Sequence, residues 1–148
     1  MSDHASSLLD AMSRLPVFRG ITWRAANFEL TAPFTTDAPI PTTQDLRVAT
    51  QNFRVAGVHM FLVSGGRDVS PFSAAPSDRE VVLLPGARLV PASAFRDHDG
   101  LRVQVIIEQP APGEPIPPVP DDATLAALIA AARDAPDVTV SAPSRFGP

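Results

Sequence analysis

The segment Asp78-Arg79-Glu80-Val81-Val82-Leu83-Leu84-Pro85-Gly86 reads as a strand with acidic residues at its head and a turn at its foot. The apolar run makes Arg79 to Leu84 a strand candidate, and Pro85-Gly86 ends it. A carboxylate placed beside a bound molecule can stabilise positive charge developing on it, and Glu80 is the candidate. Working outward, Val17-Phe18-Arg19-Gly20 lies in a second strand candidate, Pro16 to Trp23, and its arginine offers a planar fork of donors suited to phosphate oxygens. Between the two, Pro41-Thr42-Thr43-Gln44-Asp45 leads into Val48-Ala49, with hydroxyls able to fix a neighbouring group or line a pocket. Each segment alone has an ordinary reading. Arg19 is then a strand arginine in a surface ion pair, Thr42-Thr43 a turn or helix cap, and Glu80 the solvated rim of a strand. Their order and spacing together argue for a site.

These three segments resemble the ADP-ribosyltransferase family, in the branch marked by Arg, then Ser-Thr-Ser, then Glu-x-Glu, over roughly residues 15 to 108. Phe18-Arg19-Gly20 matches the aromatic-Arg-Gly of the first strand. Pro41-Thr42-Thr43 stands where that branch has Ser-Thr-Ser, followed at the same spacing by Asp45 and Val48-Ala49. Asp78-Arg79-Glu80-Val81 stands for Glu-x-Glu-Val, with Pro85 and Gly86 beyond it. Two departures concern the chemistry: Pro41 has neither hydroxyl nor backbone donor, and Asp78 is one methylene shorter than glutamate.

The resemblance implies an α+β fold of two roughly perpendicular antiparallel sheets around an NAD cleft, with flanking helices. It implies NAD as substrate, with Arg19 and Gly20 at the pyrophosphate and Thr42 and Thr43 supporting the site. Glu80 would stabilise an oxocarbenium-like ribose, and Asp78 would help present or activate the acceptor. The activity implied is transfer of ADP-ribose to a macromolecular acceptor, a protein above all, with release of nicotinamide, as in bacterial toxin and effector domains that also meet inhibitor or partner proteins. Two alternatives share the scaffold: an NAD glycohydrolase with water as acceptor, and an interaction module whose chemistry is lost.

Composition sets the frame. The 148 residues fit one domain, 1–148, large enough for its own core. There is no cysteine, so disulfide and thiolate chemistry are excluded. A net charge of −4 gives no electrostatic basis for binding nucleic acid. All twelve basic residues are arginine. No basic stretch followed by an apolar run opens the sequence and no window has the length of a membrane span. The reading is therefore a soluble protein with no membrane partner, cytoplasmic or delivered by a non-classical route.

Periodicity fills in the elements. Leu8, Leu9, Met12 and Leu15 have helical spacing over Ser6 to Leu15, with Pro16 closing the run. Asp45 to Phe53 predicts a short helix capped by Thr43 or Asp45, with Leu46, Ala49 and Phe53 inward. Val58 to Val63 predicts a strand broken by Gly65-Gly66, in which His59 is structural. Ala87–Phe95 and Leu101–Glu108 predict a hairpin across Asp97-His98-Asp99-Gly100. Residues 109–120 include six prolines and predict an extended strap. Asp121 to Ala135 predicts a helix with Leu125, Leu128, Ile129 and Ala132 inward, and Val138 to Ser141 an edge strand. Trp23, Phe34 and Phe72 are candidate stacking partners for an aromatic ring. His4, His59 and His98 have no metal-ligand spacing, and no metal is expected.

Overall fold

The computed structural model describes residues 3–148. Three helices, α1 (Asp3–Ser13), α2 (Leu46–Thr50) and α3 (Asp122–Asp134), flank eight strands. These are β1 (Val17–Ala25), β2 (Phe34–Thr35), β3 (Ile40–Thr43), β4 (Gly57–Asp68), β5 (Glu80–Leu83), β6 (Arg88–Pro91), β7 (Arg96–His98) and β8 (Leu101–Glu108). The α+β class is as the resemblance implies.

The long strand β4 organises the rest. It runs antiparallel to β1 from Val17↔Arg67 to Ala25↔Val58 and parallel to β8 from Gly57↔Arg102 to Leu62↔Ile107, the one parallel pair among the described strands. Beyond Leu62 its β8 side is taken over by β5, through Arg67↔Val82 and Asp68↔Val81. The strand β5 pairs with β3, and β3 returns to β1 at Trp23↔Thr43, so that β1, β3, β5 and β4 close a circuit of four strands. The remaining strands extend the sheet through β8 to β6 and β2, with β7 on β8.

Alternation along β4 divides the core in two, as the two-residue period of a strand requires. Val58, Met60 and Leu62 join Trp23, Leu46, Val103, Leu125 and Ile129 under α2 and α3. Phe61 and Val63 join Val81, Leu83, Leu89 and Ile106 on the opposite face. The strand does not break at Gly65-Gly66: pairing with β1 on one side and β5 on the other carries it on to Asp68. Gly20 has a stricter role. It sits at φ +147 where the β1–β4 register shifts, and a Cβ there would meet the Phe18 ring at 3.1 Å. The resulting bulge carries Arg19.

The helices follow their caps. Asp45 caps α2, its carboxylate accepting from the Arg47 N–H, and Asp121 caps α3 by accepting from Thr124. Leu125 and Ile129 of α3 are buried as expected, whereas Leu128 is exposed, since only a narrow stripe of this helix meets the sheet. Phe53 is half-buried, with the Arg47 and Arg133 guanidinium groups 5.2 and 4.5 Å from its ring centroid. His59 is buried, with Nε2 at 2.9 Å from the Phe28 carbonyl oxygen. Trp23 is core rather than a stacking surface, while Phe34 and Phe72 are exposed. The side chains of Leu8 and His4 lie outside the described residues. The strap 109–120 has no helix or strand. Val138–Ser141 is not a strand: Asn52 takes the place of a neighbouring strand by bonding both the carbonyl and the N–H of Val138, at 3.0 and 2.9 Å.

Arg47 joins α2 to α3. Its nearly buried guanidinium donates to the carbonyls of Ala132 and Arg133, both at 2.7 Å, and to Asp137 at 2.8 Å. These carbonyls are among the last four of α3, which have no partner within the helix. Arg47→Ala is expected to lower stability by about 2–3 kcal/mol in urea unfolding, because the charge-assisted bonds of a nearly buried guanidinium to two helix-end carbonyls are lost. Asp137→Asn, which removes only an exposed partner, should cost under about 1 kcal/mol.

Candidate functional site

Thr43 and Glu80 are direct partners across β3 and β5. Both Thr42 and Thr43 are fully buried, and their hydroxyls donate to the backbone of the acidic segment: Thr42 to the Val81 carbonyl and Thr43 to the Asp78 carbonyl, each at 2.6 Å. Thr43 Oγ1 also accepts from the Asp45 N–H at 3.0 Å. The hydroxyls thus fix the strand that carries the carboxylates rather than touching the carboxylates themselves. Pro41 sits in β3 opposite Val82, and its carbonyl accepts from Arg24 at 3.1 Å, so the position serves through its backbone oxygen.

Val81 and Leu83 enter the core, which turns Glu80 and Val82 to the other face. There they line a cavity of about 390 Å3 with Met12, Leu15, Phe72 and Arg145. Glu80 is 5% exposed, and its two carboxylate oxygens take both arms of one fork: Arg145 Nε at 2.5 Å and Nη2 at 2.7 Å. Arg145 is the site residue that the sequence reading missed. It lies 65 positions from Glu80 in a Ser-Arg-Phe-Gly-Pro stretch with no periodicity, and only the arrangement of strands brings it home. Its guanidinium is held charged even more firmly than usual, chiefly by the hydrogen bonds to Glu80.

Asp78 is 4% exposed, in a 3-10 turn just before β5, and its Oδ1 has no hydrogen-bond partner. Burial raises its pKa above the ordinary carboxylate value, and the Glu80 charge raises it further. The Arg145 charge and the Ser141 hydroxyl offset this in part. Arg79, between the two acids, takes the left-handed conformation at φ +49 that turns the chain from the 3-10 turn into β5.

Arg19 faces a different cavity, of about 610 Å3, lined also by Arg67, Arg88, Glu108, Glu114 and the prolines of the strap. Its guanidinium pairs with Glu114 at 2.9 Å, and both side chains are substantially exposed. Glu108 is buried, with Oε1 accepting from the N–H groups of Ser64 and Gly65 at 2.7 and 2.8 Å, while Arg67 Nε is buried without a partner. Three arginines therefore converge where the sequence singled out one. The row Val17↔Arg67↔Val82 shows why Arg19 and Glu80 do not share a cavity. β4 lies between their strands, with Arg19 two residues beyond one end of the row and Glu80 two residues beyond the other. Among the described residues no group of three or more His, Asp or Glu side chains is placed to hold a metal, and no helix is long and apolar enough to cross a membrane.

This arrangement of strands is the ADP-ribosyltransferase fold. HopU1, an ADP-ribosyltransferase of Pseudomonas syringae pv. Tomato DC3000, superposes with a TM-score of 0.55 at 21% identity, covering 70% of this chain and 49% of that one. The ADP-ribosyltransferase Vis, solved in complex with the M6 inhibitor, matches at a TM-score of 0.57 and 14% identity, covering 74% and 57%. Exoenzyme S from Pseudomonas aeruginosa, in complex with human 14-3-3 protein beta and bound to Carba-NAD, matches at 0.53 and 16%, covering 83% and 62%. The chain thus spans about half to three-fifths of the length of these proteins. No protein-family model matches it, and no curated protein matches it in sequence.

Because the Asp78 pKa is raised, its ionisation opposes folding: the penalty is absent below the unfolded value near 3.8 and complete once the pH passes the raised folded value. Asp78→Asn is expected to raise the melting temperature at pH 7, with the gain shrinking as the pH falls towards 3.8. Thermal unfolding followed across that range checks it.

Proposed function

We propose that this chain binds NAD and transfers its ADP-ribose to a macromolecular acceptor, releasing nicotinamide. The observation that carries the reading is the pairing of Glu80 with Thr43 in an ADP-ribosyltransferase fold. It puts a fixed, buried carboxylate at the edge of a cavity, on a strand locked by two buried hydroxyls. Preorganised negative charge at a developing cation is the electrostatic device that such a reaction needs.

In this reading NAD reaches from one cavity to the other past the end of β4: Arg19, carried outward by the Gly20 bulge, exchanges its exposed partner Glu114 for the pyrophosphate, and Arg67 and Arg88 add positive charge to the same cavity. Glu80 accepts a hydrogen bond from a ribose hydroxyl and stabilises the cationic ribose as the bond from C1′ to nicotinamide breaks. Nicotinamide leaves with the bonding pair. The acceptor's nucleophile then bonds to C1′, and Asp78, whose proton affinity is raised, takes the proton that the nucleophile gives up. Thr42 and Thr43 act on the geometry, holding β5 so that the carboxylate does not have to be ordered during the reaction.

The test is nicotinamide release from NAD, followed by proton NMR. Arg145 engages both oxygens of Glu80, so the assay includes Arg145→Lys, which keeps the charge but gives up the fork. Release is expected in at least one of these two chains and should fall by about a hundredfold or more when Glu80→Gln is added to it. Arg19→Ala should weaken NAD binding about tenfold or more, through loss of a charge-assisted contact. No release from either folded chain contradicts the reading.

A further inference from the structure

One cavity stands apart from the two described above. It encloses about 280 Å3 beside the C-terminal end of β1 and shares no lining residue with the cavities of Arg19 and Glu80. Phe61, Leu89 and Ile106, from β4, β6 and β8, form its inner wall and are buried in the core. Phe28 and Phe34 also line it and are 59% and 46% exposed, so large apolar side chains are left uncovered beside an apolar cavity. Arg24 and His59, direct partners across β1 and β4, are its charged or titratable side chains. No acid lines it.

The two polar groups have different standing. His59 Nε2 lies 2.9 Å from the Phe28 carbonyl oxygen, and burial, the chief influence, lowers the imidazole pKa, so the ring is neutral at pH 7. Arg24 is therefore the cation of the cavity. Of the five N–H donors of a guanidinium, three are used: Nη1 donates to the carbonyls of Pro41 and Arg145 and Nη2 to that of Gly147. Its Nε–H and one Nη2–H have no acceptor among the described residues, and Nε is not sealed from solvent as Arg67 Nε is. Every partner of Arg24 is a neutral carbonyl. Burial and the charge of Arg145 both work against its positive charge, and no carboxylate offsets them.

An occupant that answers all of this has one negative head and an apolar tail. A single charge matches a single guanidinium with two donors to spare, which is what one carboxylate accepts. The tail covers the rings of Phe28 and Phe34. At interior packing density a ligand fills about three-quarters of such a cavity, or about 210 Å3, roughly the volume of a saturated chain of ten to twelve carbons.

We propose that this cavity binds a medium-chain aliphatic carboxylate, with its head on Arg24 and its tail between Phe28, Phe34, Phe61 and Ile106. The site is independent of the transferase reading and gives the chain a ligand of a second chemical class.

The experiment titrates the full chain with hexanoate, octanoate and decanoate below their micelle concentrations, and with octanol, reading amide NMR shifts. Saturable one-to-one binding is expected, with shifts centred on Phe34, Leu89 and Ile106. Affinity should rise about three- to fourfold per added methylene. Octanol should bind at least tenfold more weakly than octanoate, since it lacks the charged head. Arg24→Met should lose that tenfold for octanoate while binding octanol within twofold of the native chain. Phe34→Ala, at an exposed position, should weaken octanoate and octanol by the same factor, threefold or more, and carries the test with the native chain if Arg24→Met does not fold. No saturable binding, an affinity that is flat from hexanoate to decanoate, or octanol binding as tightly as octanoate would each overturn the proposal. Shifts centred on Arg19 and Arg67 would overturn it too, as they assign the carboxylate to the other arginines. Shifts at Phe28 and Phe34 that follow protein concentration without ligand would overturn it by seating a second copy of the chain there. Nicotinamide release is not read, so failure here leaves the transferase reading untouched.

Discussion

A carboxylate buried at the head of β5 requires a partner, and most of the site's architecture follows from how Glu80 obtains one. An ionised acid taken out of water is tolerated only where charge and hydrogen bonds replace its hydration. Here both oxygens are satisfied by one guanidinium that arrives from 65 residues away. That pairing requires residues 142–148 to cross β1, which places Phe146 in a buried seat and engages Arg24 on three carbonyls at once. It also fixes the environment of Asp78, which shares the acidic pocket without a partner of its own on Oδ1. Hydrogen bonds thus join the acid, its strand, the segment 142–148 and the threonines of β3.

The elements with strong local signals were legible in the sequence. The apolar runs of β4 and β5, the stripe of Leu125 and Ile129 and the proline strap each carry their own periodicity or backbone chemistry, and each lies where the sequence puts it. The expectations that failed were decided by neighbours in space. Gly65-Gly66 stays in a strand because β1 and β5 pair with β4 on either side, and Val138–Ser141 is kept from strand geometry by Asn52. Leu128 has helical spacing but no surface to meet.

The candidate site divides in the same way. Thr42, Thr43, Asp78 and Glu80 were legible as a cluster because adjacent strands β3 and β5 bring them together. Arg19 was legible as a strand arginine suited to phosphate, but its bulge and its cavity were not, since the other arginines there, Arg67 and Arg88, come from strands whose register the sequence does not reveal. Arg145, Arg24 and Arg47 were invisible as a group. In a chain whose basic residues are all arginine the residue type carries no signal, and these three act by reaching backbone carbonyls or a carboxylate distant in sequence. The planar fork is nevertheless what allows one side chain to hold two or three acceptors at each of these junctions.

The interaction on which this account depends is observable directly, through the side-chain Nε–H of Arg145 in nitrogen-15 NMR. A proton donated to a buried carboxylate exchanges slowly with water, so the account predicts a resolved Arg145 signal with exchange at least tenfold slower than that of exposed Arg14. Glu80→Gln, which removes the negative charge, should largely erase that protection. An Arg145 Nε–H that exchanges in the native chain as fast as an exposed arginine would contradict the account at its centre, because Glu80 would then not be held as described.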